Sequence, residues 1–384
     1  MKKSIIIIAL AVLGAGVTFV MTLDFWVTKK VSGISFTRDQ GPQKEEGDPL
    51  NESEILDRQH PEDERVTSPV KHEVKRNFSP PLKVVKKFLL EAGNVYKWIA
   101  REQYIYIQDP YTQQILKLDS SGNLIDVYGS KGGAPWEHEG IMSFEILNDD
   151  LYTADNSKMT IKRGALGDKN LQYHHKIRET FWDAALLRDD RFVVFLEEQN
   201  DQVGDFSFRV YDAVNNQFGN STSFRELLKL DKAIQYLNIA YGGHFIRSET
   251  GHLLYVCSRT GLFLSFDEIG NVTYVKETID RSPPPKVSVK KSGKFTMFIR
   301  EPDLNINYSA TAGPETLYIL SLVRFQKAKN LVVDQYKIEN GEYSGSIEIP
   351  NDDDSLPREI LITSEGKLWV LYENMNIIIY ELAQ

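Results

Sequence analysis

The chain has one cysteine in 384 residues. Cys257 has no partner for an intramolecular disulfide, so the fold must rest on packing, and the thiol reads as a small buried hydrophobe. Helical periodicity is nearly absent; Ser223 to Leu237 is the one good helix candidate. There is no dense Lys/Arg run. Of 45 Lys+Arg and 54 Asp+Glu, residues 1–80 hold 11 and 12, which leaves residues 81–384 with a net charge of about −8. An acidic body repels phosphate backbones, so no nucleic-acid partner is expected. No G-x-S-x-G elbow, H-E-x-x-H, Walker loop or paired C-x-x-C occurs, so the sequence supplies no ready-made catalytic motif.

Long apolar runs are equally scarce: there is one. It spans Ile5 to Leu23, between Met1-Lys2-Lys3-Ser4 and Asp24. Nineteen residues come close to the roughly 20 needed to cross a bilayer core. Lys2 and Lys3 mark a cytoplasmic start. No clear A-x-A site follows to favour cleavage, and no cysteine follows to take a lipid. Residues 1–28 are therefore expected to form an uncleaved signal anchor, with a cleaved secretory signal as the competitor. Either way the body lies outside the cytoplasm, on the periplasmic side of the inner membrane in a Gram-negative cell. Residues 29–80 include GPQKEEGDPLNESEILDRQHPEDER, rich in charge and proline and poor in aromatics. Such a stretch buries too little apolar surface to offset the entropy of ordering, and reads as a flexible charged linker.

From residue 81 onward the pattern is one of strands. Runs of Val, Ile, Tyr, Phe and Leu are separated by Gly, Asn, Asp and Ser turns. The strongest pairs recur six times, beginning at Tyr104, Leu151, Phe192, Leu253, Leu317 and Leu368, roughly 40 to 65 residues apart, a blade-sized period. Each pair is flanked by a further strand on either side, as in Leu124 to Tyr128. Four antiparallel strands repeated radially make an all-β, six-bladed β-propeller over residues 81–384. The last unit ends one strand short, and the run Leu82 to Leu90 precedes unit one without a partner. It fits as the missing outer strand of the last blade, a closure that removes a sheet edge.

In such a blade, the turn between strands two and three shares a face with the connection to the next blade. That face is expected to gather Asp109, Asp155, Glu197, Arg259 and Glu373, together with the connections 129–140 and 280–305. These are also the longest loops, where ligands usually bind. Trp136-Glu137-His138-Glu139 sets three potential ligands around an aromatic ring, although a polar loop with one anchoring Trp is the plainer reading. Asp109 and Asp155 could serve a metal, or simply cap their own turns. Tyr241 and His244 flank Gly242-Gly243 near an inner strand and are candidates to line the central channel. No catalytic residue or metal ligand set is assigned.

The lead-in Tyr128-Gly129-Ser130-Lys131-Gly132-Gly133-Ala134-Pro135-Trp136, followed by Leu151-Tyr152-Thr153-Ala154-Asp155-Asn156, resembles the NHL-type repeat. Ile107-Gln108-Asp109 matches more loosely. The resemblance covers about 80 residues; in later units Glu197, Ser258 and Ser321 stand near the Asp position. It implies the broad six-bladed superfamily that includes the NHL and TolB-like groups, and this superfamily holds scaffolds, lactonases and lyases alike. The leading expectation is a non-catalytic extracytoplasmic module that meets a protein or glycan partner through its loop face. A metal-dependent lactonase- or lyase-like enzyme is the second reading, and it alone would call for a divalent cation at the channel mouth. A subunit of an envelope redox or transport complex is the third.

Overall fold

The computed structural model describes residues 36–37 and 75–382, apart from 92–93, 169–170, 172, 189, 199–203, 293–294 and 323–330. The expected anchor and most of the linker lie outside the described residues. Among the described residues, no helix is long and apolar enough to cross a membrane.

Six four-stranded antiparallel sheets follow one another along the chain. Blade one comprises Lys97–Arg101, Tyr104–Asp109, Gln114–Leu118 and Leu124–Tyr128; blade two Ile141–Leu147, Asp150–Asp155, Thr160–Ala165 and Tyr173–Lys176. Blade three comprises Phe181–Arg188, Arg191–Glu197, Phe206–Asp212 and Gln217–Ser223; blade four Gly243–Arg247, Leu253–Cys257, Leu262–Phe266 and Val272–Glu277. Blade five comprises Asn307–Ala312, Thr316–Leu322, Leu331–Lys337 and Tyr343–Glu348. Blade six takes Pro357–Ile362, Lys367–Tyr372 and Asn376–Glu381 from the end of the chain. Its fourth strand is Lys83–Leu89, antiparallel to Asn376–Glu381.

The middle strands read as continuous apolar runs because a blade packs on both faces. Every residue of Leu253–Cys257 is buried. Leu253, Tyr255 and Cys257 point towards blade three, while Leu254 and Val256 point towards blade five. The six largest core clusters each join two neighbouring blades, and one joins blade six to blade one through Trp369, Leu371, Trp98 and Ile107. Truncating one such residue, as in Leu254→Ala, would cost about 2–5 kcal/mol through lost burial and the cavity left behind. Cys257 is fully buried in the cluster between blades three and four.

The outer turns follow from local chemistry. Asp119 accepts N–H bonds from Ser121 and Asn123, and Asp267 accepts the same pair from Ile269 and Asn271. Gly122 (φ +86) and Gly270 (φ +88) supply the left-handed residue. Both also sit tightly against the preceding blade, Gly122 on the Phe88 ring and Gly270 on Val210 and Leu187.

The expected helix at 223–237 is not formed. Single helical turns occupy Phe224–Leu227 and Leu237–Ala240, because Arg225 turns inward to pair with Asp205 and to donate to the carbonyls of Asp231 and Ile234, which closes the segment into a compact loop. Between blades four and five a hairpin, Lys286–Ser292 with Phe295–Glu301, is inserted, and Phe36–Thr37 pairs with its second strand. Arg76 lies among the described residues that lead into blade six. This side chain forks onto Asp334 and also pairs with Asp280. Ser79 and Ser346 then exchange backbone bonds with the outer strand of blade five and with Asn77, respectively, before the chain enters blade six.

Candidate functional site

The innermost strand of each blade borders the central channel. In blades two, three, five and six this strand carries a bulge at the same place, between Ile141 and Ser143, Phe181 and Asp183, Asn307 and Ser309, and Pro357 and Glu359. A bulge re-aims the side chain that follows it. Register places Lys97 of blade one and His244 of blade four in the same layer, opposite Gln108 and Val256 near the upper end of the second strand. One layer below the rim therefore gathers Lys97, Ser143, Asp183, His244, Ser309 and Glu359, one from each blade.

These groups form a connected mouth. The Lys97 ammonium reaches across to the carbonyl of Phe245, 3.5 Å away. Asp183 accepts from the backbone N–H of Ala184 at 2.8 Å, and the Phe245 N–H lies 3.5 Å from its other oxygen. Burial pushes the Asp183 carboxyl up to about 6, although Lys97 and Ser143 oppose the shift. Burial likewise pushes Glu359 up to about 7, opposed by Ser309 and Arg358. Tyr96, from the connection between blades six and one, meets His244 edge to face at 5.8 Å between ring centroids. Tyr96 is 37% exposed. His244 also keeps open surface, yet burial, helped by Lys97 and Arg259, depresses its imidazole to about 4. Both rings thus keep accessible surface while standing among many protein atoms at the mouth.

Arg259, in the turn between strands two and three of blade four, stands at the rim. It donates one bond, 3.3 Å, to the carbonyl of Ile239. Burial and the neighbouring Arg300 lower its guanidinium to about 10, against the pull of Asp303. Arg300 and Asp303 form an ion pair of 2.9 Å, and Arg300 Nε and Asp303 Oδ2 have no partner among the described residues. Of the residues expected from the sequence, the mouth collects His244 and Arg259. Tyr96, Lys97, Asp183, Arg300 and Glu359 were missing from that set. A usable signal existed at Asp183, the one charge in the apolar run Phe181 to Leu187.

The other candidates fall elsewhere. Asp109 accepts N–H bonds from Tyr111 and Thr112 of its own turn. Asp155 accepts from Glu139, Gly140 and Lys158 and lies 3.6 Å from the Lys162 ammonium. The loop holding Trp136, Glu137 and His138 folds around cations of the chain itself. The Lys158 ammonium donates to the carbonyls of Gly132, Ala134 and Glu137 at 2.8–2.9 Å, and the Lys162 ammonium donates to the Glu137 carbonyl as well. A metal ion there would have to displace two ammonium groups. Glu137 also caps the N–H of Ala134, while Trp136 stands exposed. His138 is fully buried against Thr153 at 2.9 Å, with its imidazole pushed down to about 3 by burial and by Lys162. Gly129 (φ +74) is required there, since a Cβ would stand 2.8 Å from the His138 ring.

Tyr241 is buried against Phe224 in the core between blades three and four, away from any channel-lining role. Glu197 ends its strand at the upper rim with its carboxyl raised by burial. Glu373 is exposed in the upper turn of blade six, where its N–H bonds Leu356. Among the described residues no three His, Cys, Asp or Glu side chains converge as a metal set.

No protein-family model matches the chain, and no curated protein matches it. Solved structures do. A Bacteroides fragilis protein named "Putative exported protein" aligns over 80% of this chain and 97% of its own, with 10% identity and a TM-score of 0.52. A DUF4221 family member from Bacteroides vulgatus aligns over 79% and 97%, with 10% identity and a TM-score of 0.47. Virginiamycin B lyase from Staphylococcus aureus aligns over 79% and 100%, with 10% identity and a TM-score of 0.43. At such identities the likeness is one of fold: the chain is a six-bladed β-propeller, as its repeat implied.

Proposed function

We propose that this chain is an extracytoplasmic binding propeller, held at a membrane through residues 1–28, which meets a protein or glycan partner through its upper face. The observation that carries the reading is the channel mouth. Lysine, carboxyl and imidazole groups from different blades share one half-enclosed layer there, with Arg259 and Tyr96 beside it. Desolvating charges costs several kcal/mol per ion unless partners offset it, so a mixed-charge mouth is expected to be kept for recognition. Other buried charges are closely paired, as Arg225 with Asp205 and Arg247 with Glu145.

The enzyme reading finds less support. A divalent cation at the mouth would share the channel with Lys97 and Arg259, and like charge weakens its binding. The location follows from the apolar run Ile5 to Leu23 and its lysine flank.

The test uses the full chain in its own envelope. Chemical cross-linking is compared among the native protein, a mouth variant (Lys97→Gln with Arg259→Gln) and a variant altered on blade three's flank (Arg209→Gln). Partner capture that falls in the mouth variant alone supports the reading. Capture unchanged in the mouth variant, or release of the native protein from membranes by an alkaline wash, overturns the corresponding half.

A further inference from the structure

The upper face holds a positive group that its surroundings do not neutralise. Arg259 has five N–H donors in a planar fork, yet among the described residues it makes one bond, to a neutral carbonyl at 3.3 Å. Its carboxylate neighbour, Asp303, is engaged by Arg300 at 2.9 Å. Two guanidiniums thus stand beside one carboxylate. An enclosed charge without a counter-charge is costly, and an oxyanion in fork geometry is what relieves it. Two polar atoms around this spot are buried without partners among the described residues: Arg300 Nε and Asp303 Oδ2.

The groups next to this corner point to the rest of the ligand. Tyr96 and His244 offer two open aromatic rings at the mouth. In the same layer as His244 stand acceptors (Asp183, Glu359) and a donor (Lys97). Sugar hydroxyls both donate and accept, so a sugar ring suits a mouth that offers both kinds of partner, and its apolar face suits an aromatic ring. An acidic peptide side chain would use the arginines and leave the remainder unmatched. Resting on the upper-face reading above, we propose that Arg259, with Arg300 beside it, binds the carboxylate of an acidic sugar of the uronic acid type, whose ring lies against Tyr96 and His244.

Titration calorimetry of the purified full chain with trigalacturonate tests this. Binding should weaken at least about tenfold in Arg259→Gln, the loss of a charge-assisted hydrogen bond. It should recover in part in Arg259→Lys and fall with added salt. Galactotriose, which lacks the carboxylates, should bind at least about tenfold more weakly. Thermal melting checks that each variant is folded, and Tyr96→Ala gives a second variant that leaves both arginines in place; it too should weaken trigalacturonate. Absence of trigalacturonate binding up to about 1 mM, equal affinity in folded Arg259→Gln, or equal binding of a triglutamate peptide each overturns the proposal. Mouth-dependent partner capture without uronate binding sinks this inference alone and leaves the binding-propeller reading standing.

Discussion

Arg76 ties the residues that lead into blade six to blade five, and its loss should be felt at that junction. Its guanidinium forks onto Asp334, with Nε and one terminal nitrogen each 3.0 Å from a carboxylate oxygen, and it also pairs with Asp280. Only 6% of the Arg76 side chain is accessible, against 0% for Asp334 and 2% for Asp280. Burial acts to lower the guanidinium's affinity for its proton, but bonds to the two carboxylates outweigh it and raise the group above its ordinary value. Arg76→Gln would leave the buried Asp334 carboxylate without its counter-charge, a change worth about 3–5 kcal/mol. For a domain of this size that lowers the melting temperature by about 5–15 °C. Hydrogen exchange should show where the damage begins, at the amides of Ser79 and Ser346, which bond across this junction. Pairing Arg76→Gln with Asp334→Asn in a double-mutant cycle should return a coupling of at least about 1 kcal/mol. A melting temperature within about 1 °C of the native protein, together with unchanged exchange at Ser346, would refute the argument.

Three further outcomes follow from other buried groups. Glu359 has its carboxyl raised by burial, so it disfavours the folded state progressively as pH rises from its ordinary range through about 7. Glu359→Gln should therefore gain melting temperature over the native protein at pH 8 and show little gain at pH 4, read from paired melts. Lys158→Met should strip three carbonyls of their donor and loosen the loop 130–140, with a loss of about 1–3 kcal/mol by denaturant titration and faster exchange at Gly132 and His138. The Cys257 thiol is buried and its ionisation is pushed up, so a thiol reagent should label it only after unfolding, and labelling of the native protein within minutes would contradict the packing described.

The repeat is legible in the sequence because a blade's middle strands are buried on both faces. Leu253–Cys257 and Leu368 to Tyr372 can be read as strands from composition alone, and their turns are marked by Asp, Asn and Gly at fixed offsets. The hairpin at 286–301 is not legible as an insertion, since two alternating runs joined at Ser292-Gly293 look like any other pair of strands. The helix expected at 223–237 fails for a related reason. Its apolar spacing is real, but Arg225 finds a buried carboxylate at Asp205 and draws the chain into a loop, a tertiary contact that outweighs propensity.

The site is harder to read because function here depends on register, which sequence order conceals. Asp155 and the loop around His138 attract attention as neighbours in the chain, yet they are satisfied internally: Asp155 by three backbone N–H groups, and the loop by the ammonium groups of Lys158 and Lys162. Lys97, Asp183, His244 and Glu359 are separated by dozens of residues and share no motif. Pairing with the second strand of each blade, at Gln108, Phe195, Val256 and Leu371, is what sets them in one layer. In blades three and six the shift that brings the charged residue into that layer is a one-residue bulge. Without it, Trp182 and Arg358 would take those places, and the layer would lose both of its carboxyl groups. The chemistry of the mouth is thus decided by backbone irregularities that composition does not announce, while the scaffold holding it follows from burial patterns that composition does.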